Sequence, residues 1–476
     1  MSNTPDQRLS RGALVALVVG SMVGAGIFTL PAAFGRSTGA LGALISWSIA
    51  GTGMLMLAFV FQTLSRRKPD LDAGIYAYAR AGFGNYLGFS AAFGYWIACC
   101  LADVACLVLI KATLGQFLPV FGDGSTPVAI LSATVIVWTV HMLVLRGVKE
   151  AAALNTIATI AKIVPIGIFV VVLIAGFKAD VFALNFWGGE ETSLASLAGQ
   201  VRNTMLVTVF VFVGIEGASV YSRHAKDRND VGVATVLGFL GVLCLLVLVT
   251  VFSYGILLRP DLAALATPSM AGVMEAIVGP WGRVFISVGL LISIAGNYLS
   301  WSLLAAEVLH SAAQNQTMPS FLARENENSV PSAALWLTNI VIQLFLLVTW
   351  FAEYAFTAAL KMTSAMTLVP YLLVAAYGCK LAWTGETYAA SGSGRRGDGL
   401  IAAIATVYAA GMLYAGGATF LLLSALLYAP GTWLYFYARR EQRQRVFTVP
   451  EVAVFGAISL AAAAALYALV SGVITI

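Results

Sequence analysis

Four ionisable side chains interrupt stretches that are otherwise apolar: Asp103, Lys162, Glu216 and Lys361. A charge at the centre of a membrane span costs about 2.5–3.5 kcal/mol on insertion scales, so each is a functional candidate. Asp103 ends the run Trp96-Ile97-Ala98-Cys99-Cys100-Leu101-Ala102-Asp103. Its carboxylate is suited to face a mobile cation, or to pair with Lys361 within the protein. Glu216 stands in Val213-Gly214-Ile215-Glu216-Gly217-Ala218, where it can cap amides freed by the glycines. Lys162 lies too deep in its apolar run for easy snorkelling. Trp301 can stack a guanidinium, a contact worth about 0.5–2 kcal/mol, or serve as packing or interfacial belt. His141 and Glu307 read as packing or interface residues.

Two glycine clusters complete this set, Gly20-Ser21-Met22-Val23-Gly24-Ala25-Gly26-Ile27-Phe28 and the run around Gly214. Glycine weakens a helix by about 1 kcal/mol relative to alanine. One such cluster alone reads equally well as close helix packing. Two at corresponding places of two halves point to interrupted helices around a site at the membrane midplane. A break frees N–H groups on one half-helix and carbonyls on the other. The amides suit a carboxylate and the carbonyls an ammonium, so together they fit the backbone of an α-amino acid. The five cysteines are odd in number, lie in or beside apolar runs and show no metal spacing; with three histidines there is no ligand cluster. No metal, cofactor or disulfide is expected.

The elements that must hold these groups are membrane helices. Of 476 residues, 60% are hydrophobic and only 10% charged, against about 25% charged in soluble domains. Apolar spans are predicted at 12–35, 40–62, 86–110, 127–145, 152–175, 202–222, 233–257, 282–308, 333–351, 356–378, 399–415, 418–437 and 450–472. That makes thirteen, with the weakest division between the eleventh and twelfth, where Gly416-Gly417 is almost the only break. With the amino terminus cytoplasmic, most lysines and arginines fall in cytoplasmic segments, as the positive-inside rule requires; the carboxyl terminus then lies outside. The net charge of +5 reports orientation and gives no reason to expect nucleic acid. The first span is a retained helix, not a signal peptide. Ala390–Gly399 is expected to be a short flexible linker. A channel should show a filter repeated by symmetry and an enzyme a cluster of catalytic groups; the chain shows neither.

The chain resembles the amino acid–polyamine–organocation superfamily, and within it the basic amino acid/polyamine antiporters. The resemblance rests on Gly24-Ala25-Gly26-Ile27-Phe28 with Leu30-Pro31, Gly74-Ile75-Tyr76-Ala77-Tyr78-Ala79-Arg80, Gly214-Ile215-Glu216-Gly217-Ala218-Ser219 and Leu368-Val369-Pro370-Tyr371-Leu372. It covers the first twelve spans. It implies an all-α polytopic membrane protein with a LeuT-like inverted five-plus-five repeat. Residues 12–175 would form the first repeat and 202–378 the second, inverted one. Residues 399–472 would add three C-terminal helices.

By the same resemblance Ala25, Gly26 and Ile27 receive the substrate carboxylate, and carbonyls of Met22, Phe210 and Val213 its ammonium. Phe210 takes the place of a tryptophan lid, and Trp301 matches a tryptophan over which guanidinium stacks. Cys99 and Asp103 fall in the binding set; an arginine/agmatine-exchanging relative has asparagine where Asp103 stands. Glu216 and Lys361 join Lys162 as coupling or gating residues. Some sodium-independent relatives carry a lysine at the Lys162 position, as a strut between the first and fifth helices or as a proton carrier. The implied activity is electroneutral one-for-one exchange of arginine for ornithine across a bacterial inner membrane. The alternatives are proton-coupled import, or exchange involving lysine or agmatine. Partners are cationic amino acids and the lipid bilayer, with homo-oligomerisation left open.

Overall fold

In lipid a spanning segment must satisfy its backbone internally, so long apolar runs become helices. The computed structural model describes residues 11–71, 75–146, 151–188, 193–216, 228–352, 354–388 and 394–474. Among them there is no strand. In chain order the helices are α1 (Arg11–Met22), α2 (Leu30–Ser37), α3 (Ala40–Arg67), α4 (Ile75–Phe83), α5 (Asn85–Gly115), α6 (Pro127–Leu145) and α7 (Ala151–Gly176). There follow α8 (Ala179–Leu184), α9 (Leu194–Phe210), α10 (Arg228–Ser253), α11 (Arg259–Ala264), α12 (Ser269–Val278) and α13 (Pro280–Gln314). The last five are α14 (Ser332–Val348), α15 (Ala355–Thr384), α16 (Arg395–Ala415), α17 (Gly417–Glu441) and α18 (Val449–Val470).

Each expected span falls on these helices, the first on the broken pair α1–α2 and the sixth in its first half on α9. By length and apolarity ten helices can cross a membrane, or eleven with the broken pair α1–α2, among the described residues. Helix α9 falls short of the spanning length because it stops at Phe210 after 17 residues. Helix α7 runs for 26 residues, of which only Ala161–Gly176 enter that count. Among the described residues that gives ten to eleven spans, and the two expected spans missing from it, the fifth and the sixth, are those only partly covered by the described residues. Residues 217–222 of the expected sixth span, with Gly217, Ala218 and Ser219 of its motif, lie outside the described residues.

Helix α5 forms the centre and is buried along almost its whole length. It packs on α13 and α15, while α13 also packs on α7. Exchanging the first five expected spans for the second five turns the α5–α15 pair into α13–α7. The same exchange turns α5–α6 into α13–α14 and α1–α10 into α9–α3. The α3–α10, α5–α13 and α6–α14 pairs map onto themselves. Short polar contacts pin these packings: Ser364 donates to the Leu206 carbonyl at 2.6 Å and Trp96 Nε1 to Thr338 at 3.0 Å. His141, as expected of an interface residue, lies between α6 and α14, with Nδ1 3.1 Å from the Asn339 amide nitrogen.

At one end of the bundle Arg67 pairs with Asp398 at 2.9 Å and stacks on Tyr388, and Arg80 donates to the Asn315 carbonyl. The expected flexible linker is corrected here. Helix α16 begins at Arg395, which donates to the Ala382 and Trp383 carbonyls, so the second half of Ala390–Gly399 is a docked helical turn. Residues 389–393 lie outside the described residues. At the other end Arg36 and Arg259 donate to the Ala263 and Gly35 carbonyls, tying α2 to α11. Helix α18 buries only Ala462 and Ala465, and packs on α17. Its first-turn Glu451 caps Thr448 and also accepts the Tyr86 N–H at the start of α5.

Candidate functional site

Helix α1 ends at Met22, and Val23 still donates to Val19 at 2.9 Å. Gly24 is then extended (φ −120°, ψ −153°) and a 3₁₀ turn, Ala25–Thr29, leads into α2. The axis bends by 43°. The first two N–H groups of a 3₁₀ turn, here those of Ala25 and Gly26, have no acceptor within it, whereas the Ile27 N–H reaches back to the Gly24 carbonyl. Opposite, α9 gives way after Phe210 to turns through Glu216, with Gly214 at φ +107°.

The glycines let the two breaks touch. A Cβ on Gly26 would lie 2.9 Å from Phe210 Cδ1, and one on Gly214 2.7 Å from the Ser21 carbonyl oxygen. Ser21 Oγ donates to the Gly214 carbonyl at 3.0 Å. The break also strips the Gly20 carbonyl of its usual donor, the N–H four residues on. Lys162 supplies one: its ammonium, 3% exposed, donates to that carbonyl at 2.9 Å. On the other break the buried Glu216 carboxylate accepts the Tyr95 hydroxyl, the Tyr371 hydroxyl at 2.5 Å and the Gly214 N–H at 3.2 Å. Helices α5 and α15 are thereby tied to the turn that replaces the helix.

Between the breaks lies a narrow cavity of about 20 Å³. Of the residues expected from sequence, Met22, Ala25, Gly26, Phe210, Val213 and Trp301 line it. Ile27 and Cys99 are buried but absent from the lining. Asp103 is fully buried, also off the lining, with neither carboxylate oxygen hydrogen-bonded. Lys361 does not reach it; its ammonium sits over the Phe420 ring at 5.6 Å, so the internal Asp103–Lys361 pair is not formed. Sequence reading missed Asn297, Cys106, Ala102 and Thr363, which also line the cavity. One of these was accessible from helical register, because Asn297 precedes Trp301 by one turn. Thr363 carried no signal, since its hydroxyl already bonds the Ala359 carbonyl at 2.8 Å like many helical threonines.

A family model described as amino acid permease matches residues 9–438. The chain belongs to that family. This permease is 52% identical to an arginine/ornithine antiporter of Pseudomonas aeruginosa, over all of both chains. It is 40% identical to an L-lysine transport protein of Corynebacterium glutamicum, covering 96% of this chain and 94% of that one. It is 38% identical to an arginine/agmatine antiporter of Chlamydia pneumoniae, covering 99% of each. The permease is thus a helical, multi-pass membrane protein of the amino acid–polyamine–organocation superfamily.

Proposed function

We propose that this permease exchanges L-arginine for L-ornithine, one for one and by alternating access, across the bacterial inner membrane. The observation that carries the reading is the apposition of two broken helices around a cavity closed by Phe210 and Trp301. The Ala25 and Gly26 amides would take the carboxylate, with the positive end of the following helix behind them; the Ile27 amide, expected to join them, is already bonded to the Gly24 carbonyl. The Met22 and Val213 carbonyls would take the α-ammonium. The Phe210 carbonyl already accepts the Val213 N–H at 3.2 Å, which makes it the weakest of the three acceptors expected. Trp301 would stack the guanidinium and Asp103 would answer the distal charge. The exchange symmetry of the helix packing supports two inverted halves, 12–175 and 202–378, with 399–472 added outside them. The relatives named for arginine, ornithine, lysine and agmatine support a cationic amino acid as the cargo.

The test is counterflow in vesicles. Purified protein in liposomes loaded with ornithine should accumulate labelled arginine, and empty liposomes should not. Equal uptake by empty liposomes would overturn exchange, and uptake driven by an inward proton gradient would replace it with proton-coupled import.

A further inference from the structure

Three buried polar side chains meet between α5 and α13 without a well-formed hydrogen bond. Asp103, Tyr298 and Ser302 are 0–1% exposed. Ser302 stands within loose hydrogen-bonding reach of both Asp103 and Tyr298, yet no bond of good geometry satisfies the two carboxylate oxygens or the two hydroxyls. Buried polar groups are normally hydrogen-bonded, so four left unsatisfied in one place need an explanation.

Their placement supplies it. On α13, Asn297 and Trp301 are one turn apart and line the cavity; Tyr298 and Ser302 form the adjoining row. On α5, Ala102 and Cys106 line the cavity and Asp103 stands in the adjoining row. The two adjoining rows meet beside the cavity wall, next to Trp301. The geometry points to a distal subsite made by Asp103, Tyr298 and Ser302 together, in which the two hydroxyls select a guanidinium over a primary ammonium. This rests on the reading of the cavity as a cationic amino acid site, and assigns to it two residues that reading does not use. The four orphaned acceptors match a planar guanidinium with five N–H donors better than an ammonium with three. A site built to hydrogen-bond a group discriminates against analogues that leave its polar atoms unpaired.

Equilibrium binding of labelled arginine, ornithine and the neutral isostere citrulline to the purified permease tests this. Tyr298→Phe and Ser302→Ala are each expected to weaken arginine about tenfold, the loss of one charge-assisted bond, while ornithine changes by less than about threefold. Ser302→Thr should restore arginine binding. Arginine and ornithine weakened equally would mean a packing role and overturn the assignment, as would unchanged affinities. Asp103→Asn is the control for the underlying reading, and should erase the preference for arginine over citrulline. If it does so while the hydroxyl variants are silent, only the hydroxyl assignment falls. If Asp103→Asn keeps that preference, the cationic subsite falls, and the hydroxyl assignment with it.

Discussion

At the scale of single residues, the helix breaks stand because two ionisable side chains replace backbone partners that the breaks remove. Lys162→Met keeps the apolar stem and removes the donor to the Gly20 carbonyl. An orphaned buried carbonyl costs about 1–3 kcal/mol, so the purified variant should melt several degrees lower and exchange more slowly. An unchanged melting curve and exchange rate would show that the lysine is no strut. Glu216→Gln tests the other break. The carboxylate accepts from Tyr95, Tyr371 and Gly214 at once; an amide keeps one oxygen and turns a donor toward those donors. Turnover should fall about tenfold or more, with arginine affinity changing little, because Glu216 is not in the cavity lining. Affinity falling in step with turnover would instead place Glu216 in binding.

At the scale of elements, the decisive fact is that two segments refuse to be helices where their glycines touch. Gly26→Ala forces a Cβ against the Phe210 ring and the Val211 side chain. It should abolish exchange, whereas Gly167→Ala in α7, with nothing within 4 Å of the new methyl, should leave exchange intact. Matching exchange rates in the two variants would remove the close approach as a requirement. This is the part of the molecule most legible in sequence. Glycine clusters at corresponding places of two halves mark breaks, and the positions near 24 and 214 are where the breaks stand. Less legible was what faces the cavity. Asp103 was singled out by its charge, but helical register turns it into the α5–α13 seam, one residue away from Ala102 on the wall. Lys361 shares an apolar span with Thr363, yet only the threonine lines the cavity while the lysine turns to α17. Which face of an all-apolar helix looks inward depends on its neighbours, and an unbroken hydrophobic run carries almost no periodic signal of that.

At the scale of the whole molecule, the bundle offers a fixed set of intramembrane charges, and the charge that moves is that of the cargo. Arginine and ornithine each carry one net positive charge near neutral pH, whereas agmatine carries two. Exchange of arginine for ornithine therefore moves no net charge, while exchange for agmatine moves one. A potential of 100 mV acts on a transferred charge with about 2.3 kcal/mol, on the order of fiftyfold in the equilibrium ratio. In liposomes clamped by a potassium gradient and valinomycin, arginine/ornithine counterflow should reach the same plateau at 0 and 100 mV. The arginine/agmatine plateau in the same vesicles should shift in the direction that lowers the charge difference. A voltage-sensitive arginine/ornithine plateau would mean that a proton or another ion crosses with the substrate. One of the buried ionisable groups at the breaks, Lys162 or Glu216, would then be the place to look for its carrier, because each sits where a change in the helix break would expose it first.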